Sequence, residues 1–200
     1  MAKLESSLRN MLLSLTAISL GASAILAAGY AITKEPIDKA AALKEEKAIK
    51  EVLPDGVSSI GEAKAINIDG LSDSFPVYPA SKDGEFVGAA VQTYSNEGYS
   101  GRITIMVGFD RSGSIINYSV LSAAETPGLG AKVIDWFKND QKPKADIRGK
   151  NPQAKRLSVS KDGGEIDAIT ASTITSRAFL QSINNAYEAF AKYKKDNSIQ

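Results

Sequence analysis

Three hydrophobic patterns follow one another along the chain: an unbroken apolar run, a set of alternating segments, and a closing helical repeat. The apolar run, NMLLSLTAISLGASAILAAGYAIT over residues 10–33, carries no charged side chain. Because the hydrocarbon core of a bilayer needs roughly 20 helical residues, this run predicts a membrane-spanning helix. A cleaved signal peptide is the alternative, but its apolar region is only about 7 to 15 residues long.

A polar helix is predicted after the membrane run. Residues 38–52 are rich in Ala, Leu, Glu and Lys, which favour helix, and Asp38 is a suitable N-cap. Pro36 is predicted to end the membrane helix or to begin the second one, and Leu53-Pro54-Asp55-Gly56 to end the second. We therefore expect a helical stalk over residues 34–56.

Alternating apolar and polar residues predict an antiparallel sheet. Residues 76–80 and 85–93 flank the turn signal Lys82-Asp83-Gly84, as the two strands of a hairpin would. Residues 102–109 alternate as well, and a second turn signal and a return strand around Tyr118 follow them. Two hairpins in series indicate antiparallel pairing.

The end of the chain has the pattern of two further helices. Residues 132–138, with Trp136, predict a short one, and residues 176–195 a long one with apolar side chains near the helical period. The predicted fold class is α+β: an antiparallel sheet with flanking helices, on a single N-terminal transmembrane helix. The predicted boundaries are an N-terminal segment over 1–9, the membrane helix over 10–33, the stalk over 34–56 and the sheet domain over 57–200.

Composition restricts the chemistry that the domain can perform. The chain has no cysteine and no histidine, which excludes thiolate metal sites, iron–sulfur clusters and Ser-His-Asp catalysis. No metal site and no catalytic residue is predicted, and any redox role must come from an organic cofactor. The net charge of +1 and the lack of a Lys/Arg cluster give no basis for nucleic-acid binding.

Two segments carry the candidate chemistry, and the first is the loop Glu125-Thr126-Pro127-Gly128-Leu129-Gly130. Its glycines allow backbone N–H groups to approach a flat ligand. Lys132 follows at a predicted helix start, where an anion can be held. Taken alone, the loop is more typical of a tight turn without a ligand.

The second segment places five hydroxyl residues within seven positions at the start of the last helix. They follow Asp167 in DAITASTITS and comprise Thr170, Ser172, Thr173, Thr175 and Ser176. One or two such residues suffice to cap a helix. Five indicate a polar pocket at a helix N-terminus, which suits a phosphate group, and a hydroxyl there can itself be esterified.

The second segment resembles a motif of the covalent-flavin family that includes the G subunit of the Rnf ion-translocating electron-transport complex and the C subunit of the Na+-translocating NADH:quinone reductase. The family motif has the form D-x-x-S/T-G-A-T, and its last threonine takes FMN through a phosphoester bond. Asp167, Thr170 and Thr173 match the aspartate, the Ser/Thr and the acceptor, whereas Ala171-Ser172 stands where the family has Gly-Ala. The segments ETPGLG and GYSGRITIMVGFD also resemble the family, so the likeness covers nearly the whole chain.

The resemblance implies an electron-carrying subunit of a membrane ion-translocating ferredoxin:NAD+ oxidoreductase, a translocase, with covalent FMN on Thr173. It implies partners in the other membrane subunits of an Rnf-type complex and in a flavin transferase that attaches the FMN. It places the chain in the inner or plasma membrane as a single-pass protein, with residues 1–9 in the cytoplasm and the FMN-binding domain on the periplasmic side. The candidate cofactor-binding residues are Asp167, Thr170, Ala171, Ser172, Thr173, Thr175, Ser176, Glu125, Thr126, Pro127, Gly128, Leu129, Gly130 and Lys132.

Other functions stay open on the sequence. A component of the Na+-translocating NADH:quinone reductase would use the same tethered flavin, and so would a separate membrane-bound reductase. A non-redox binding or scaffold protein would use the loop and the hydroxyl cluster for structure alone. Ser172 is a rival hydroxyl beside Thr173, and Thr170 and Thr175 are further candidates for the acceptor.

Overall fold

A computed structural model of the chain describes residues 7–68, 70–71 and 73–199, and the chain divides after Lys44 into two compact units. The first six positions of the predicted 1–9 segment lie outside the described residues. Helix α1 (Leu8–Val52) is long and apolar enough over part of its length to cross a membrane. Its large apolar side chains, among them Ile18 and Ile25, are exposed, as lipid-facing side chains are in a spanning helix.

Pro36 lies inside α1, so the predicted break between a membrane helix and a stalk helix is wrong, and Asp38 is not an N-cap. Proline in a helix interior costs about 3 kcal/mol. Ending one helix and starting another would require a new nucleus, whose statistical weight of about 10⁻³ corresponds to about 4 kcal/mol. Because good helix formers continue on both sides of Pro36, the uninterrupted helix is favoured.

Six antiparallel strands form the sheet of the second unit: β1 (Ser59–Ile60), β2 (Lys64–Asn67), β3 (Ser74–Lys82), β4 (Glu85–Gly98), β5 (Gly101–Asp110) and β6 (Ile115–Ala123). Their order is β1-β3-β4-β5-β6, and β2 also pairs with β3. Both predicted hairpins are confirmed, since β3 pairs with β4 and β5 pairs with β6. A third hairpin joins β4 to β5 through Tyr99 and Ser100.

Helix α2 (Thr173–Asp196) packs on one face of the sheet and begins three residues before the predicted start. Its Phe179 is fully buried, stacks on Phe137 with ring centroids 4.6 Å apart, and meets the Tyr118 ring edge-on at 4.8 Å. The last turns of α1 cover the opposite face of the sheet, where they form a smaller core of Ala48, Ile49, Val52, Leu53, Ala80, Ala90 and Met106. The sheet is thus covered on both faces, as alternating side chains require.

After β6 the chain forms two 3-10 helices, Gly130–Ile134 and Trp136–Lys138, instead of the single helix predicted over 132–138. The hydroxyl of Tyr118 donates to the carbonyl oxygen of Val133 at 2.8 Å and accepts from the N–H of Phe137 at 3.2 Å. Burial raises the pKa of Tyr118, so the phenol stays protonated and keeps its donor. This buried group holds the segment in an irregular conformation that local helix propensity does not encode.

Candidate functional site

The loop Glu125–Gly130 folds around a buried carboxylate. The Glu125 side chain accepts a hydrogen bond from the Thr175 hydroxyl at 2.9 Å and from the N–H of Ser100 at 3.3 Å. A β-carbon at Gly130 would overlap Oε2 of Glu125 and lie 2.9 Å from Oγ1 of Thr175. The glycine therefore makes room for the Glu125–Thr175 pair, which is a different role from the close approach of a flat ligand that the sequence predicted.

The hydroxyl-rich segment makes a sharp bend before α2. Ala171 has a φ of 61°, in the left-handed region that favours glycine. Ser172 occupies the N-cap position, yet its hydroxyl makes no capping hydrogen bond to the helix. Among the described residues, the backbone N–H groups of 173–175 have no hydrogen-bond partner. Helix capping therefore does not account for the hydroxyl cluster, and the helix start presents free donors to an anion.

Replacing Ala171 by glycine is expected to raise the free energy of unfolding by about 1 kcal/mol, because the left-handed conformation costs a residue with a β-carbon roughly that much. Thermal unfolding of the full chain in detergent measures the change. Ala168→Gly is the matched control, because Ala168 lies in the same loop without a positive φ. The control is expected to be neutral or destabilising, and a lower melting temperature for Ala171→Gly would contradict the strained bend.

The five hydroxyls differ in exposure and bonding. Thr175 is buried and donates to Glu125, and Ser176 is buried and donates to the carbonyl oxygen of Ser172 at 2.9 Å. Thr170 is exposed and Thr173 is half-buried. Ser172 is 9% exposed, and within the described part of the chain its hydroxyl has no hydrogen-bond partner. Thr175 and Ser176 therefore serve the fold, and three hydroxyls stay available to a ligand.

Two clefts meet at Ala171 and Thr173. The first, which we call the loop cleft, has a volume of about 450 Å³ and is lined by Tyr99, Glu125, Thr126, Leu129, Gly130 and residues 171–175. The second, the tryptophan cleft, has a volume of about 950 Å³ and is lined by Trp136, residues 142–145, Ser160, Lys161, residues 167–171 and Thr173. Thr173 is thus the one hydroxyl among the described residues that lines both clefts.

The fold brings most of the predicted site residues together. The loop cleft unites Glu125, Thr126, Leu129 and Gly130 with Ala171, Ser172, Thr173 and Thr175, whereas Asp167 and Thr170 lie in the tryptophan cleft. Four predicted residues line neither cleft: Pro127, Gly128, Lys132 and Ser176. Lys132 lies inside a five-residue 3-10 helix, so the predicted helix start at that residue is wrong.

Several residues at the clefts were not predicted from the sequence. Tyr99, at the β4–β5 turn, and Ile174 are 70% and 50% exposed, and with Leu129 they give the loop cleft an apolar rim. Their sequence signal was a single large apolar residue within a polar segment. Lys161 donates from Nζ to Oγ1 of Thr173 at 3.3 Å, and it had no local signal because the contact depends on folding.

Similarity to known proteins places the chain in a family. A family model described as "FMN-binding domain" matches residues 98–188, from the end of β4 to the middle of α2. The G subunit of the ion-translocating oxidoreductase complex of Aliivibrio fischeri is 30% identical over 197 residues, covering 92% of this chain and 90% of that protein. Its counterpart in Photorhabdus laumondii is 32% identical over 172 residues, covering 84% and 81%. The chain belongs to this G-subunit family.

A further member of the G-subunit family, from Shewanella piezotolerans, is 36% identical over 127 residues, which cover 63% of this chain and 59% of that protein. Membership confirms the resemblance and the α+β FMN-binding domain that the sequence predicted. The site itself fits a flavin mononucleotide. The apolar rim suits a flat ring, while the free donors at the start of α2, the unpartnered hydroxyl of Ser172 and the Lys161 ammonium suit a phosphate.

Proposed function

We propose that this member of the G-subunit family is an electron-carrying component of a membrane ion-translocating ferredoxin:NAD+ oxidoreductase complex. Its cofactor is FMN, bound covalently to Thr173 through a phosphoester. The position of Thr173 carries the proposal: its hydroxyl lies at the start of α2, lines both clefts and accepts a hydrogen bond from Lys161. A negatively charged ester at that atom would meet the positive end of the helix and an ammonium group.

The competing hydroxyls are less suitable as the acceptor. Thr175 is buried and already bonded to Glu125, so esterification would break that pair. Thr170 is exposed and precedes the bend at Ala171, outside the first turn of α2. Ser172 lines only the loop cleft, not both clefts, and it is more deeply buried than Thr173. It therefore suits a hydrogen bond to the phosphate better than an ester.

Attachment forms a bond between Oγ1 of Thr173 and the phosphorus of a flavin nucleotide that is activated as a phosphoanhydride. The P–O bond to the leaving phosphate breaks with its electron pair, and the hydroxyl proton passes to a base or to water. We propose that a flavin transferase supplies this donor. When bound, FMN provides the electron-transfer chemistry, and the residues of this chain hold and orient it and limit its contact with water.

The loop cleft is the proposed place of the flavin ring, because Tyr99, Leu129 and Ile174 surround it with exposed apolar surface. Leu129→Ser is expected to increase quenching of the flavin fluorescence by iodide about twofold, because it removes apolar cover from the ring. Ile134→Ser is the matched control, since Ile134 is 50% exposed, close to the 42% of Leu129, but lines neither cleft. Equal quenching in the two variants would place the ring elsewhere.

The apolar part of α1 supports a membrane-anchored arrangement. We propose that its apolar part anchors the chain in the plasma membrane as a single span, with the FMN-binding domain on the periplasmic side and the other membrane subunits of the complex as partners. A cysteine introduced at Asn197, near the chain end, and labelled in intact cells by a membrane-impermeant maleimide tests the side. Labelling is expected without lysis, and labelling only after lysis would reverse the topology.

The decisive experiment for the cofactor is mass spectrometry of the peptide that contains residues 170–177, from protein purified out of its native membrane. The expected result is one FMN phosphoester on Thr173. An unmodified peptide from an intact, active complex would overturn the proposal and would favour the scaffold function.

A further inference from the structure

Lys161 approaches the candidate acceptor from the tryptophan cleft. Its Nζ lies 3.3 Å from Oγ1 of Thr173, across twelve positions of sequence. Lys142, which lines the same cleft, lies instead over the Trp136 ring, with its Nζ 3.5 Å from the centroid. Lys144 lines the cleft as well, and Lys161 is the lysine of the three whose ammonium is hydrogen-bonded to the Thr173 hydroxyl.

Lys161 lies in the 3-10 helix Ser160–Asp162, and this turn is hydrogen-bonded to Asp167 on one side. The hydroxyl of Ser160 donates to Oδ1 of Asp167 at 2.9 Å and to the carbonyl oxygen of Ile166 at 3.1 Å. The backbone N–H of Ser160 also donates to that carbonyl oxygen, at 2.8 Å. The carboxylate of Asp167 thus acts on the turn that presents Lys161.

An ion pair joins the other side of the same turn to α2. Arg177, one helical turn after Thr173, donates from Nε and Nη2 to the two carboxylate oxygens of Asp162 at 2.7 and 2.6 Å. These hydrogen bonds lower the pKa of Asp162, so the pair stays ionised at neutral pH. The bidentate geometry orients the turn relative to the helix that carries Thr173.

We infer that Lys161 is the positioning residue that holds the phosphate on Thr173, and that Asp167 serves the site by fixing the turn that presents Lys161. The inference rests on the proposed function. A phosphodiester carries one negative charge. The Lys161 ammonium, within hydrogen-bond distance of the ester oxygen, would neutralise that charge. The free N–H groups at the start of α2 would donate to the same phosphate. The motif aspartate therefore acts at a distance, through Ser160 and Lys161.

The first test compares full chains in detergent, incubated with a flavin transferase and its flavin donor. Lys161→Ala is expected to slow flavin attachment, followed by intact mass, about tenfold, since a charge-assisted hydrogen bond contributes on that scale. Lys161→Arg is expected to keep most of the wild-type rate because it keeps the charge. Lys132→Ala is the control, a lysine that lines neither cleft, and is expected to match the wild type.

The second test separates phosphate binding from recognition by the transferase. Each chain is loaded to completion, and the increase in melting temperature on loading is measured at low and high salt. The wild type and Lys161→Arg are expected to gain more than Lys161→Ala, and their gain is expected to fall more steeply with salt. Equal gains with the same salt dependence in all chains would overturn the role of Lys161.

The third test addresses Asp167 by a double-mutant cycle. Asp167→Ala, which removes the oxygen that accepts from Ser160, is expected to reduce the attachment rate in the wild-type background and to have little further effect in Lys161→Ala, because both act through one contact. Ser160→Ala, a smaller change in the same link, is expected to behave likewise. Additive losses would overturn the positioning role of Asp167. A wild-type chain that carries no flavin in the native membrane would instead overturn the proposed function, and the inference with it.

Discussion

Thr173→Ala is expected to abolish covalent flavin altogether, so that the denatured protein shows no in-gel fluorescence and the peptide with residues 170–177 shows no flavin mass. The loss should be complete because the ester needs this oxygen and because no neighbour replaces it. Thr175 and Ser176 are buried and hydrogen-bonded within the fold, and Ser172 lines only the loop cleft, not both clefts. Co-expression with a flavin transferase, followed by gel fluorescence and mass spectrometry, measures the result.

Ser122→Ala is the control for this variant. It removes an exposed hydroxyl that lines neither cleft, and the flavin is expected to stay attached in full. Both variants should unfold at nearly the wild-type temperature in the unloaded form, since neither side chain is in the core. Flavin found on Ser172, or retained in Thr173→Ala, would show that the family acceptor position does not transfer to this chain.

The same variant tests the electron-carrying role. In membrane vesicles that contain the whole complex, Thr173→Ala is expected to abolish ferredoxin-dependent reduction of NAD+, while the other subunits remain assembled. Ser122→Ala vesicles are expected to keep the activity. Assembly is followed by blue native electrophoresis, and full activity in Thr173→Ala would remove the flavin of this chain from the electron path.

Phe179→Ala is expected to lower the free energy of unfolding by about 3–5 kcal/mol, the range for a fully buried phenylalanine. Phe179 joins α2 to both the sheet and the second 3-10 helix, because its ring contacts Tyr118 and Phe137. The cavity left by the ring would loosen the segment that carries Trp136 as well as the core. Chemical denaturation of the full chain in detergent measures the change.

Ile174→Ala is the control for the core variant. Ile174 lies on the same helix but is 50% exposed, so its truncation is expected to change stability by less than about 0.5 kcal/mol. Similar losses in the two variants would mean that α2 is not anchored through the Phe179 stack.

Much of the fold followed from the sequence because strands and amphipathic helices are encoded by local spacing. The alternation over residues 102–109 predicted β5, and the buried residues of that strand include Ile103, Ile105 and Phe109, as that alternation requires. The break predicted at Pro36 is absent because a second helix nucleus would cost more than the proline does, and local helix-breaking signals do not contain that cost. The single helix predicted over residues 132–138 is wrong because groups outside that segment determine its conformation. These are the Tyr118 hydroxyl, which is hydrogen-bonded to it, and the Phe179 ring, which stacks on Phe137.

For the site, the sequence determined which two segments matter, a glycine-containing loop and a hydroxyl-rich helix start, and it showed that the chain has no cysteine and no histidine. These are properties of neighbouring residues, and the resemblance to a family named the flavin and Thr173. Only the tertiary structure separated the hydroxyls that serve the fold from the one shared by two clefts. It alone joined Thr175 to Glu125 across 50 positions and Lys161 to Thr173 across 12. Such contacts depend on how the elements pack, and no local pattern records them.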